Sequence, residues 1–207
     1  MKTLLKVQTG LFGAESQSTQ LADRFVAQWL RHNPNGRVIT RDVAADPVPH
    51  LTAERLLAFG SKPESRTGEQ QAVLDYSDAL IAELQNADVI VLAVPMYNFS
   101  VPSTLRAYFD HIARAGVTFR YTEKGPEGLL KGKKAYVFAT RGGLYAGTAA
   151  DTQTAFVRDF LRFVGIEDVE FVYAEGLAMG DAPKQKALVA ANAAIAKIVG
   201  REVAIAA

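Results

Sequence analysis

Three short stretches of this sequence carry side chains whose types and spacing could hold a bound molecule. The first, Thr9-Gly10-Leu11-Phe12-Gly13-Ala14-Glu15-Ser16-Gln17-Ser18-Thr19, is rich in hydroxyls and glycine and runs into an amphipathic segment. Backbone N–H groups at a helix N-terminus, helped by hydroxyl donors, make a cradle for a phosphate. It is neither a GxGxxG fingerprint nor a Walker A loop, because no Gly-Lys-Ser/Thr closes it. Ser16 or Ser18 acting as an ordinary helix cap would use the same residues without a ligand. The second stretch, Pro95-Met96-Tyr97-Asn98-Phe99-Ser100-Val101-Pro102-Ser103, encloses two aromatics and an amide between two prolines. Tyr97 and Phe99 could cover a planar ligand while Asn98 and the backbone read its polar edge. An aromatic lid on the protein's own core, or a dimer contact, is the alternative. The third, Thr140-Arg141-Gly142-Gly143-Leu144-Tyr145, sets paired glycines where backbone can approach a ligand with its N–H groups free. A plain turn would use the same pair.

Composition removes other chemistries. The chain has no cysteine, so it offers no thiol nucleophile, no disulfide and no Cys-ligated metal cluster. Its 3 histidines, His32, His50 and His111, lack ligand-like spacing, and no metal site is expected. No GxSxG surrounds any serine, which argues against a hydrolase. Lys plus Arg is 23 against 22 for Asp plus Glu, a net charge of +1 that supports neither a nucleic-acid nor a membrane partner. Met1–Lys6 has too short an apolar run for a signal peptide, and no segment is apolar enough to span a bilayer, so a cytoplasmic protein is expected.

The elements that must position these stretches follow from periodicity. With 207 residues, 49% of them apolar, the chain is expected to form one domain over 1–207. Strands are expected at Leu4–Thr9, Val38–Val43, Ala87–Val94, Ala135–Thr140 and Val169–Tyr173. The unbroken apolar run Val89–Val94 suits a central parallel strand covered on both faces. Helices alternate with them: one from Ser18 to Asn33, one opened by the capping-box sequence Thr67-Gly68-Glu69-Gln70, one capped by Ser103, one over Thr152–Phe163 and one capped by Asp181. A short helix is expected at Thr52–Ala58, inside the long connection from Ala44 to Arg66. Asp110, His111 and Arg114 read as a solvated helix face. Alternation of this kind predicts an α/β fold with a doubly wound, five-stranded parallel sheet, order 2-1-3-4-5. Ligands in such folds sit beyond the carboxyl ends of the strands, where all three stretches fall.

On Pro95-Met96-Tyr97-Asn98-Phe99, Arg114–Thr122, Gly125-Pro126-Glu127-Gly128 and Arg141-Gly142-Gly143, the sequence resembles the FMN-dependent NADH:quinone oxidoreductases, or azoreductases, of the flavodoxin-like fold. The likeness runs from Lys2 to about Val199. It implies FMN as bound cofactor and NADH as co-substrate, with NADPH a possibility. By resemblance, Ser16, Gln17 and Ser18 hold the phosphate, and Thr9 and Gly10 also bind the cofactor. Pro95, Met96, Tyr97, Asn98 and Phe99 line the ribityl chain and ring system, and Thr140, Arg141, Gly142 and Gly143 border its pyrimidine side. Donors at Gly142 and Gly143, with the Asn98 amide, would support negative charge on the flavin electrostatically. No side chain is assigned as proton donor. The family often has Ser where Gly10 and Thr140 stand. Thr140 keeps a hydroxyl and Gly10 does not, which implies a weaker phosphate grip.

The resemblance further implies two-electron, ping-pong transfer to quinones and aromatic azo compounds by a homodimer with its site at the interface. Tyr145, also among the cofactor-binding residues that the resemblance implies, is a substrate-pocket candidate with Phe119 and Tyr121, although Phe119 and Tyr121 could equally be hairpin residues packing on their own subunit. The competing reading is a flavodoxin-type FMN electron carrier. Such carriers are typically smaller and acidic, unlike this chain, and need a separate reductase.

Overall fold

The computed structural model describes residues 1–206, with side chains through Arg201. In chain order the elements are β1 (Thr3–Gln8), α1 (Gln17–His32), β2 (Arg37–Asp42), α2 (Ala53–Phe59), α3 (Gly68–Asn86), β3 (Val89–Pro95) and α4 (Ser103–Ile112). There follow β4 (Phe119–Thr122), β5 (Gly125–Gly128), β6 (Lys134–Thr140), α5 (Thr152–Phe163), β7 (Asp168–Ala174) and α6 (Asp181–Ala206). Five strands form a parallel sheet in the order β2-β1-β3-β6-β7. Counting only the sheet strands, this is the expected 2-1-3-4-5. The antiparallel pair β4-β5 stands apart as a hairpin.

Alternation along the central strands builds two cores. On one face Leu5, Val7, Ile90, Leu92, Val94 and Val137 pack against α3, α4 and α5 through Leu80, Leu105, Phe109, Val157 and Leu161. On the other, Leu4, Val91, Ala93, Tyr136 and Phe138 meet Leu21, Phe25 and Trp29 of α1 and Ile195 and Ile198 of α6. Each fully buried large side chain contributes about 1.5–3 kcal/mol, so this sandwich is a stiff platform for the loops at its carboxyl edge. α3 begins with the expected capping box, Thr67 and Gln70 each bonding the other's backbone N–H. Among the described residues no helix is long and apolar enough to cross a membrane.

Two local expectations are corrected. Ser103 is the first residue of α4 rather than its cap, and Asp181 likewise the first residue of α6; Pro102 holds the N-cap position of α4 and makes no side-chain cap bond. His111 and Arg114 are not on a solvated face. His111 is fully buried, its ring edge-on to Phe59 and Tyr76 at 6.0 Å. Burial holds its pKa below the ordinary imidazole value, against the opposing bond to the Ala107 carbonyl. Arg114 lies over the Phe59 ring at 5.4 Å, donates to Ser77 Oγ at 3.2 Å and pairs with Asp78. Only Asp110 takes the outer side, with Arg106 at 3.2 Å. The cause is α2 and α3, which cover the end of α4 that periodicity alone leaves exposed.

Candidate functional site: three loops at the carboxyl edge

The first loop leaves β1 and enters α1. Thr9 is buried, and its hydroxyl donates to the Ala93 carbonyl at 2.8 Å, so it joins the loop to β3 instead of facing a ligand. Gly10 has no room for a side chain: a Cβ there would lie 2.1 Å from Ser16 Oγ. Ser16 occupies the N-cap position of α1 yet makes no cap bond. Its hydroxyl lies 3.3 Å from that of Ser18 instead. The N–H groups of Gln17, Ser18 and Thr19 therefore have no acceptor among the described residues, whereas that of Gln20 reaches the Ser16 carbonyl at 3.0 Å. Thr19 Oγ1, beside Gly10, is buried and also unpartnered. Ordinary capping does not account for this loop.

The second loop is a tight reversal. Tyr97 and Ser100 exchange two backbone hydrogen bonds of 3.0 Å, and between them Asn98 (φ 50°) and Phe99 (φ 66°) both take left-handed conformations. This is the geometry of a type I′ turn. Asn tolerates it; for Phe it is strained by about 1–2 kcal/mol. Strain of this kind is kept where the surroundings over-determine it, and here they do. Thr152 donates to the Phe99 carbonyl, and the Gln153 amide nitrogen donates to the carbonyls of Pro95 at 3.0 Å and Ser100 at 3.4 Å. The Tyr97 hydroxyl accepts from Leu11 N–H at 3.2 Å, joining the first and second loops. Met96 N–H donates to the Thr140 carbonyl at 2.8 Å, joining the second to the third.

The third loop is held from beneath. Arg141 was expected to border a ligand, but its side chain is wholly buried. It pairs with Asp151 at 2.8 Å and Glu175 at 3.1 Å, and bonds Thr154 Oγ1 at 2.8 Å and Gln153 Oε1 at 3.2 Å. Its N–H goes to Ala174, and its carbonyl takes Leu177 N–H. Arg141 thus anchors the loop from below, with four of its five side-chain N–H groups given to Gln153, Glu175, Asp151 and Thr154. Glu175 also accepts from Tyr145 N–H at 2.8 Å and Ala146 N–H at 2.9 Å. Burial raises the pKa of Asp151, but hydrogen bonds from Thr154 and Arg141 outweigh it and leave the carboxyl below its ordinary value. What the loop leaves free is main chain: the N–H groups of Gly142 and Gly143 have no acceptor among the described residues. Tyr145 folds back over Gly143 and meets Phe99 edge-on at 5.8 Å.

Beside the second loop lies a cavity of about 830 Å³ lined by Leu11, Met96, Tyr97, Asn98, Val101, Arg106, Phe156 and His50, among others. His50 comes from the long β2–α2 connection. Phe119 and Tyr121 are elsewhere. Phe119 is 7% exposed and packs on Phe163 at 4.3 Å, at the end of α5 that leads into the start of β7. Leu130, just past the hairpin, bonds Val164 at 2.8 Å. Within one chain the hairpin thus sits at the opposite edge of the sheet from the three loops.

Sequence reasoning missed Asp151, Thr152, Gln153, Thr154 and Glu175. One signal was available: Gln153 shares the stripe of Val157 and Leu161, a polar residue in a buried row.

Uncapped N–H groups, an orphaned buried hydroxyl and a floor closed to any Cβ suit an anion; the free donors of Gly142 and Gly143, with Phe99 and Tyr145 alongside, suit a planar polar-edged ring. An FMN fits that donor set. Residues 2–199 match the family model of the flavodoxin-like fold. The chain is 58% identical over 180 residues to an FMN-dependent NADH:quinone oxidoreductase of Cellvibrio japonicus, covering 87% of this chain and 90% of that one. It is 53% identical over 196 residues to FMN-dependent NADH:quinone oxidoreductase 6 of Burkholderia lata, covering 95% and 99%. Among solved structures, an azoreductase from Bacillus anthracis superposes with a TM-score of 0.89 at 26% identity, covering 97% of this chain and 100% of the other. An FMN-dependent NADH-azoreductase from the same species, in complex with FMN, gives 0.84 over 96% and 100%, also at 26% identity. On fold, loops and relatives alike, the chain belongs to the flavodoxin-like family of FMN-dependent NADH:quinone oxidoreductases.

Proposed function

We propose that this protein, as one FMN-binding domain, catalyses two-electron reduction of quinones and aromatic azo compounds by NADH. The observation that carries the reading is the start of α1, where three backbone N–H groups are left without a protein acceptor beside the hydroxyls of Ser16, Ser18 and Thr19. Together with the positive end of the helix dipole, they favour a phosphate dianion. When bound there, FMN would supply hydride chemistry, one hydride from the nicotinamide being handed with a proton from solvent to a quinone in a ping-pong cycle, and two such turnovers being needed to cleave an azo bond to amines. The N–H groups of Gly142 and Gly143 would stabilise negative charge on a ring bound there, and because the Arg141 cluster fixes the loop that carries them they would need little reorganisation. Phe99 and Tyr145, edge-on to each other at 5.8 Å, would flank the ring on one side. The cavity beside Met96 and Tyr97 gives donor and acceptor a common place to stand in turn.

A homodimer completes this reading. Tyr121, 75% exposed on the hairpin, is free to reach the loops of a second copy, while Phe119 is tied down in its own subunit. Exposed Leu11, Phe12 and Leu144 supply apolar surface near the loops for such a contact.

Anaerobic addition of NADH to the FMN-loaded protein tests the function. Rapid loss of the flavin band, reversed by quinone, is expected, with parallel double-reciprocal plots in steady state. A flavin that NADH and NADPH both leave oxidised would contradict it and favour the carrier reading.

A further inference from the structure

We infer that Gln153 is a positioning residue, which binds the strained Tyr97–Ser100 turn to the Arg141 cluster so that the second and third loops form one rigid wall for the cofactor's ring system. The inference rests on the FMN reading above. Gln153 is 1% exposed, in the first turn of α5, on the stripe it shares with Val157 and Leu161. An apolar residue would pack there without the desolvation penalty of a buried amide, which is tolerated only when its polar atoms are bonded. They are, and all three side-chain bonds lead to the loops. The amide nitrogen donates to Pro95 at 3.0 Å and to Ser100 at 3.4 Å, the residues flanking the turn, and the amide oxygen accepts from Arg141 Nε at 3.2 Å.

The chemistry of the position selects an amide. Its partners on one side are carbonyls that need a donor; on the other is a guanidinium that needs an acceptor. A carboxylate lacks the donor, an ammonium lacks the acceptor, and a hydrocarbon lacks both. The turn has reason to need this support, since Asn98 and Phe99 both sit at positive φ and Thr152 secures only the Phe99 carbonyl. Arg141 in turn holds Glu175, which fixes the N–H groups of Tyr145 and Ala146 beyond the two glycines. Gln153 therefore bridges two pieces that otherwise touch through the Met96–Thr140 hydrogen bond and the Phe99–Tyr145 ring contact.

The test compares wild type with Gln153→Glu, which keeps the shape and the acceptor for Arg141 but loses both donors, and with Gln153→Met, which loses all three bonds. Apoprotein is titrated with FMN and with riboflavin, which lacks the phosphate, and the midpoint potential of the bound flavin is measured. Gln153→Glu should weaken both flavins by about tenfold, leaving their ratio unchanged, because the defect lies at the ring end. The two-electron potential should fall by about 30 mV, the equivalent of a further tenfold loss borne by the reduced flavin alone. Gln153→Met should do at least as much; if it fails to fold, Gln153→Glu decides. A folded Gln153→Glu with wild-type affinity and potential, or one weakened toward FMN alone, would overturn the inference while the function stands. Wild-type protein that takes up neither flavin would remove the functional reading and this inference with it.

Discussion

α1 and α5 begin at equivalent places in the fold, each following a central strand at the carboxyl edge of the sheet, each opened by hydroxyl-bearing residues. They use those residues in opposite ways. At α5, Asp151 caps Thr154 N–H at 3.0 Å and pairs with Arg141, while Thr152, Gln153 and Thr154 are bonded to the loops or to that pair. At α1, Ser16 stands in the cap position without capping, and the first-turn donors and the Thr19 hydroxyl are left free. A helix N-terminus beside a parallel sheet can serve as scaffold or as ligand site. The choice turns on the cap residue: Asp151 takes up the Thr154 N–H and brings a negative charge to the helix end, whereas Ser16 takes up none. A carboxylate at the cap supplies both the bond and the charge; the Ser16 hydroxyl, turned toward Ser18, supplies neither.

Breaking the scaffold end should have the largest effect. Arg141→Met leaves the half-buried Asp151 and Glu175 without their cation, and a loss of about 3 kcal/mol, the lower end for a broken buried pair, is expected in urea denaturation. A loss near zero would mean that the cluster is not what holds the third loop. Converting the ligand end into a scaffold end comes next. Ser16→Asp should cap α1 and stabilise the apoprotein by about 1 kcal/mol, yet cut FMN affinity by about 100-fold through repulsion of the phosphate. Stability and affinity moving together would dissolve the contrast.

Acid titration sharpens the comparison further. Because the folded-state pKa of Asp151 is lowered, its contribution is complete above the unfolded carboxyl value, about 3.9, and is lost as pH falls below that toward the folded value. Asp151→Asn keeps a cap oxygen, so it should lower stability at neutral pH and flatten the acid limb of the pH–stability curve; an unchanged limb would assign the acid dependence elsewhere. The smallest effect is expected at Asn98. Asn98→Gly removes the amide and keeps the left-handed backbone, and it should slow flavin reduction by NADH about threefold, with Gly142 and Gly143 still in place. FMN retention should hardly change. Equal loss of rate and retention would deny the amide an electrostatic role.

The fold was largely legible because strand and helix periods differ so clearly in this chain: the Val89–Val94 run and the Leu21, Phe25, Trp29 spacing could each be read in one way. Ser16 and Ser18 were legible as residue types, but whether they cap α1 or leave it open depends on side-chain direction, which spacing does not carry. The anchoring role of the Arg141 side chain was hidden for a related reason. Beside two glycines at a strand end, a guanidinium reads as a ligand contact; its actual partners Asp151 and Glu175 lie 10 and 34 residues along the chain. His111 and Arg114 were hidden by α2 and α3, which no local pattern on α4 reveals. The long β2–α2 connection was visible as an insertion, but nothing in it singled out His50 as the residue that reaches the cavity.

The most direct test of the account compares the affinities of wild-type apoprotein for FMN and for riboflavin by fluorescence titration. The uncapped start of α1 predicts that FMN binds about 100-fold more tightly, since the phosphate alone meets those N–H groups. Equal affinity for the two flavins would contradict the assignment of that helix end as the phosphate site.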